Sequence, residues 1–153
     1  MRALRCACVV MLLFTGCHRI KNAPKPLAKK ATLEIHVVSL TKTPGAIQAT
    51  NPDHKAEIFL TMPAIITAAD VATVQRSNDS GGTPYLTFNL TPAGASKLAA
   101  ATATPAGMQL AVVINGNVVS VPQLRVPLSN SFAISGGGVS KIHDTWFDAL
   151  TKN

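Results

Sequence analysis

The chain has 153 residues, 47% of them hydrophobic and 14% charged, with a formal net charge of +7. That length admits one core of moderate size, not several domains. The charge does not mark a nucleic-acid surface. Arg2, Arg5, Arg19, Lys21, Lys25, Lys29 and Lys30 all precede Ala31, and from there on seven basic residues meet seven acids. Phosphate recognition draws on clustered Lys and Arg, and the later sequence has no such cluster.

Residues 1–16 read as an address. Arg2 and Arg5 form a basic n-region, and Cys6 to Phe14 an apolar stretch. It is too short to span a membrane, which takes about 20 residues. Phe14-Thr15-Gly16-Cys17 resembles a bacterial lipobox, with Phe14 where Leu is usual. Cys17 is therefore the expected lipidation site, anchoring the chain to the cell envelope with its domain facing the periplasm. His18 is not the Asp that commonly holds lipoproteins at the inner membrane, which points to the outer membrane. All three cysteines (Cys6, Cys8, Cys17) lie in this region. A processed domain would carry no disulfide, and its fold would rest on its core.

Residues 17–31, basic and containing Pro24 and Pro26, have no periodicity and read as a tether. Its lysines and arginines suit anionic head groups at about 1 kcal/mol each, and equally a solvated linker. The domain is expected over 32–153. Leu33, Ile35 and Val37 alternate, which predicts a half-buried strand with His36 outward. Thr41 to Lys55, with Pro44-Gly45 and Asn51-Pro52, reads as a loop. Ala56 to Met62 follows as a strand. Thr67 to Asp70 has the helix-start pattern of a hydroxyl with an acid three residues on, enough for one turn. Val71 to Arg76 and Tyr85 to Leu90 are strands joined by a polar, glycine-containing stretch.

Thr91-Pro92 starts a helix, with an N-cap hydroxyl and proline at the first helical position. Ala95, Leu98 and Ala99 give it a narrow apolar face, and it ends near Thr102. Leu110 to Ile114 is an apolar, β-branched run, and Val118, Val119 and Val121 lie beyond Asn115-Gly116. Asn-Gly between apolar runs is the strongest short hairpin signal, because both central residues of a type I′ turn need φ > 0. Pro122 and Pro127 bracket a short extended piece, and Ser131 to Ser135 is a further strand. Val139 to Thr151 is a second helix, with Ile142, Trp146 and Leu150 spaced every four residues and Phe147 widening the stripe. The expected fold is α+β, a single small domain with a mostly antiparallel sheet backed by two helices and Trp146 between helix and sheet.

These residues hold little chemistry. His36, His54 and His143 have no ligand spacing. Gly136-Gly137-Gly138 lacks the Lys-Ser/Thr of a phosphate loop and reads as a tight turn. Ser135-Gly136 has no nucleophile-elbow context. Asp144 and Asp148 are one helical turn apart on a face expected to be exposed. No catalytic residue, cofactor site or metal site is assigned, and the chain is not expected to be an enzyme. Open strand edges favour binding of extended polypeptide.

Several segments together resemble the head subdomain of the first periplasmic domain of SecD and SecDF, auxiliary factors of the Sec protein-export machine. They are Asn115-Gly116, Val119-Ser120, Pro122, Pro127 and Ile134-Ser135-Gly136. Further back are Thr32-Leu33-Glu34-Ile35, Ile66 to Val71, and Phe88-Asn89-Leu90 with Gly94-Ala95. The likeness runs from about Ala31 to Val139 and implies that fold. It carries none of the proton-coupling carboxylates, which lie in the family's membrane helices; after Ala31 no apolar stretch exceeds a strand length. What it implies is transient contact with exported or unfolded polypeptide, a fold-level analogy. The competing reading is an interaction module for one dedicated envelope protein, unrelated to export.

Overall fold

The computed structural model describes residues 23–135 and 140–152. The lipobox, Cys17 and the Gly136-Gly137-Gly138 turn lie outside them. Alternation in Leu33–Ser39 (β1) makes the expected strand, and Leu110–Ile114 (β7) pairs antiparallel along one edge of it, from Leu33↔Ile114 to Val37↔Leu110. Two shorter strands share its other edge. Glu57–Leu60 (β3) pairs with Val38 and Ser39, and Ile66–Thr67 (β4) with Glu34 and Ile35.

The stretch expected as a loop holds a further strand, Ile47–Thr50 (β2), paired antiparallel with β3. Its Pro and Gly punctuate the two ends of a strand only four residues long, and that brevity hid it. Asn117–Ser120 (β8) completes the hairpin with β7. Asn115 and Gly116 take φ of 48° and 79°, the backbone a type I′ turn requires. The first sheet thus runs β2-β3-β1-β7-β8, with β4 beside β1.

A second sheet is separate from it. Val71–Asn78 (β5), Pro84–Leu90 (β6) and Ser131–Ser135 (β9) run in the order β5-β6-β9, all antiparallel. The single sheet expected from sequence is therefore two. Pro92–Ala101 (α1) packs on β4, β6 and the 3₁₀ turn Ala68–Asp70, while Ser140–Thr151 (α2) packs on β5 and β6.

The main core is shared by both sheets and both helices. Leu33 and Ile35, Leu110 and Val112, Val74, Leu86, Phe88, Phe132 and Ile134 meet Leu98 of α1 and Leu150 of α2. Phe88 and Phe132, opposite each other on β6 and β9, stack at 4.9 Å. Such cross-strand aromatic pairs add about 0.2–1 kcal/mol to what their burial contributes. In α2, Phe147 and Leu150 are buried, whereas Trp146 packs half-buried at the margin of the core instead of between helix and sheet. In α1, Ala99 is exposed; the buried partners of Leu98 are Gly94 and Thr102, at either end of the helix.

A second, smaller cluster lies on the other face of the first sheet: Ile58, Leu60, Ala111, Val113 and Val121. All five residues of β7 are consequently buried, which explains why Leu110 to Ile114 is apolar without alternation. His36 falls on this second face. It is 1% exposed, not outward as its place in an alternating strand predicted. Its Nδ1 lies 3.0 Å from the Thr61 carbonyl and its Nε2 3.1 Å from the Glu34 carboxylate. Alternation had implied that this face meets water; side chains of β3 and β7 form a second cluster on it instead.

The end of the expected tether is also part of the body. Lys25 exchanges two backbone hydrogen bonds of 2.8 Å with Val74, at the outer edge of β5. The Ala28 N–H donates to the Leu150 carbonyl at 2.7 Å, and Leu27 and Ala28 pack on the main core.

Candidate polypeptide-contact site

The family-like motifs first resolve into architecture. Thr67 and Asp70 form the expected turn. The Asp70 carboxylate accepts from the Thr67 N–H at 3.0 Å, from the Thr67 hydroxyl at 3.1 Å and from Lys97 Nζ at 2.7 Å. Burial works against ionisation of this carboxyl. The hydrogen bonds from Lys97 and Thr67, with the Lys97 charge, outweigh that and hold it below the ordinary carboxyl range. One turn into α1, Gly94 sits so close to Asp70 that a Cβ there would lie 2.4 Å from the Asp70 carbonyl oxygen. The Gly-Ala of the motif is thus the residue that lets α1 touch the 3₁₀ turn. Asn115 serves the first sheet in a similar way, since its Oδ1 accepts from the Thr32 N–H at 3.0 Å. None of these groups faces a reaction site.

The histidines and carboxylates are dispersed. His36 is buried in the second cluster, and His54 is exposed in the β2–β3 connection. Asp144, expected to be solvated, is bonded to Arg76 of β5, and Asp148 to Lys152. Among the described residues no three His, Cys, Asp or Glu side chains come together as a metal site.

Open backbone is found at the outer edge of β9. Leu90 donates its N–H to the Asn130 carbonyl at 2.9 Å, so Leu90 and Asn130 are a hydrogen-bonded pair. Bonded and non-bonded pairs alternate in an antiparallel ladder. Phe132↔Phe88 and Ile134↔Leu86 are then bonded pairs as well, and Ser131, Ala133 and Ser135 turn their N–H and C=O away from β6. The same parity on the other side directs Val74 of β5 outward, where it meets Lys25. Among the described residues nothing pairs with the outward groups of β9.

Beside that edge lies an apolar cavity of about 90 Å³. Ile35, Leu110 and Val112 form its floor on the first sheet. Pro122, Leu124 and Leu128 wall one side, and Phe132, Ala133 and Ile134 of β9 the other. Bridging of Gln123 to Gln109 and a 2.8 Å bond from Leu124 N–H to the Met108 carbonyl hold the proline-bracketed segment in place. Thr102 ties down its far end, its hydroxyl accepting from the Leu128 N–H at 3.0 Å. Val126, on the same segment, is 64% exposed. The cavity is uncharged and lies next to unpaired strand amides; its lining offers no acid, base or nucleophile. Sequence reading identified β9 and both prolines but not their juxtaposition, which depends on how the two sheets meet.

Comparison with known proteins agrees with this architecture. A family model described as the SecDF P1 head subdomain matches residues 45–141, more than half of the chain. The chain is 32% identical over 93 residues to the protein translocase subunit SecD of Thermobaculum terrenum, covering 60% of this chain and 18% of that protein. It is 32% identical over 75 residues to the protein translocase subunit SecDF of Thermus thermophilus, covering 49% and 10%. The chain thus spans less than a fifth of the length of these relatives. Among solved structures, a membrane component SecDF that enhances protein export aligns with a TM-score of 0.58 at 23% identity, over 78% of this chain and 61% of that one. SecDF in its super-membrane-facing form gives 0.54 at 23% identity, over 73% and 17%. These structures bear on the fold, and the fold is the one built above from the capped turn at Asp70, the close approach at Gly94 and the Asn115-Gly116 hairpin. With the family model covering β2 to β9 and α1, more than half of the chain, the chain belongs to the SecDF P1 head subdomain family.

Proposed function

We propose that this chain is a lipid-anchored protein of the cell envelope, held by Cys17, whose head domain contacts polypeptides during or after export and has no enzymatic activity of its own. The observation that carries this reading is the family match over residues 45–141, since the relatives are translocase subunits. The lipobox-like Phe14 to Cys17 supports the anchor, and no helix among the described residues is long and apolar enough to cross a membrane. His18 after Cys17 supports the outer membrane. The apolar cavity and open edge of β9 support contact as the mode of action.

The test is photo-crosslinking in intact cells from position 126, where Val126 is exposed beside the cavity. A range of crosslinked species that falls when secretion is blocked supports the reading. A single species that persists under the block overturns it in favour of one dedicated envelope partner.

A further inference from the structure

We propose that the outer edge of β9 is the contact site itself. It takes an extended, uncharged polypeptide segment as an added strand on the second sheet, with an aliphatic side chain of that segment in the neighbouring cavity. This inference rests on the polypeptide-contact reading above and assigns its site and its substrate class.

Three features specify the occupant. The outward N–H and C=O groups of Ser131, Ala133 and Ser135 recur every second residue. Only an extended backbone satisfies donors and acceptors at that repeat. The strand Ser-Phe-Ala-Ile-Ser carries no charge and no proline, the devices that usually protect an edge from pairing. The cavity, lined by apolar residues and holding about three times a water's ~30 Å³ share, matches a small aliphatic side chain and penalises a charged one.

The sheet also shows the chemistry at its opposite edge. There β5 accepts the chain's own Lys25 through two 2.8 Å bonds with Val74. One edge of the three-stranded sheet is therefore met at Val74 by the chain's own backbone, and the other has no partner among the described residues.

The edge is tested at Ala133, which is exposed. Its N–H is not used by β6, so Ala133→Pro removes an outward donor and leaves the β6 ladder intact. Ala133→Lys keeps the backbone and places a charge on the edge strand, the usual device against pairing there. The full chain in detergent is titrated with a labelled peptide of alternating Val and Thr carrying a Lys at each end, and with an unfolded, reduced protein. The wild type is expected to bind both, and both variants to bind at least tenfold more weakly at an unchanged urea midpoint. If Ala133→Pro does not fold, Ala133→Lys decides. Binding of peptide and unfolded protein by a folded Ala133→Lys variant at wild-type affinity overturns the β9 assignment and leaves the polypeptide-contact reading standing. Failure of the wild type to bind either probe overturns both.

Discussion

Replacing Gly94 by alanine is the sharpest test of how this fold is held together. At an exposed helical site the change would be favourable, because Ala exceeds Gly in helix propensity by about 0.8–1 kcal/mol. Here the new methyl would stand 2.4 Å from the Asp70 carbonyl oxygen and 2.8 Å from the Asp70 Cβ. Both are fixed parts of a capped turn and neither can swing away. Reaching an ordinary contact distance of about 3.5 Å requires α1 to move by roughly 1 Å. Overpacking of this kind costs about 1–3 kcal/mol. The movement also strains the 2.9 Å bond from the Thr91 N–H to the Asp70 carbonyl and the 2.7 Å contact of Lys97 with the Asp70 carboxylate. A buried backbone hydrogen bond contributes about 1 kcal/mol. The Lys97 ammonium is more than half exposed and adds less. The net expectation is a loss of about 2–3 kcal/mol, read as a lower urea midpoint at unchanged slope. Ser96→Ala, on the exposed side of the same helix, should change stability by less than about 0.5 kcal/mol. A Gly94→Ala protein as stable as the wild type would refute the claim that close approach, not flexibility, fixes glycine at this position.

Asp70 carries a pH dependence of defined sign: its folded value lies below the unfolded 3.8, so its contribution is complete above that pH and is lost as pH falls through the folded value. Asp70→Asn should cost about 1–3 kcal/mol near neutrality and flatten the acid limb of urea midpoints measured from pH 7 downward; an unchanged acid limb would rule out the assignment. Gly116→Val should cost about 1–2 kcal/mol by forcing a β-branched residue to φ near 79°, a change that differential calorimetry would detect as a lower Tm. Leu150→Ala should cost about 2–5 kcal/mol, since Leu150 is fully buried and its carbonyl also receives the Ala28 N–H. Cys17→Ser should stay unprocessed and leave the membrane fraction; normal cleavage with retained membrane association would end the lipoprotein reading.

Local signals sufficed where the deciding physics was local. The Asn115-Gly116 turn, the Thr91-Pro92 helix start and the Thr67–Asp70 cap could be read directly, because each depends on backbone dihedrals or hydrogen bonds within a few residues. The order of these signals was enough to reveal the family. Periodicity gave β1 and α2 but not what covers their second faces. His36 alternates with core residues and is nevertheless buried, because side chains of β3 and β7 form a second cluster on that face of the sheet. Trp146 keeps the four-residue spacing of α2 and still sits at the margin, while Phe147 and Leu150 take the buried positions. Lys25 looked like linker until its pairing with Val74 gave its backbone a partner. The candidate site is the extreme case. Its cavity joins Ile35, Leu110 and Val112 to Leu124, Leu128 and β9, residues spread over about a hundred positions, and its open amides follow from a ladder parity that Leu90 and Asn130 set. Sequence alone determined most of the strands, the turns and the kind of domain they build, because those obey short-range rules of dihedral angle and alternation. Only the tertiary structure decided which edge is left open and what lies beside it, because that depends on how two separate sheets share one core.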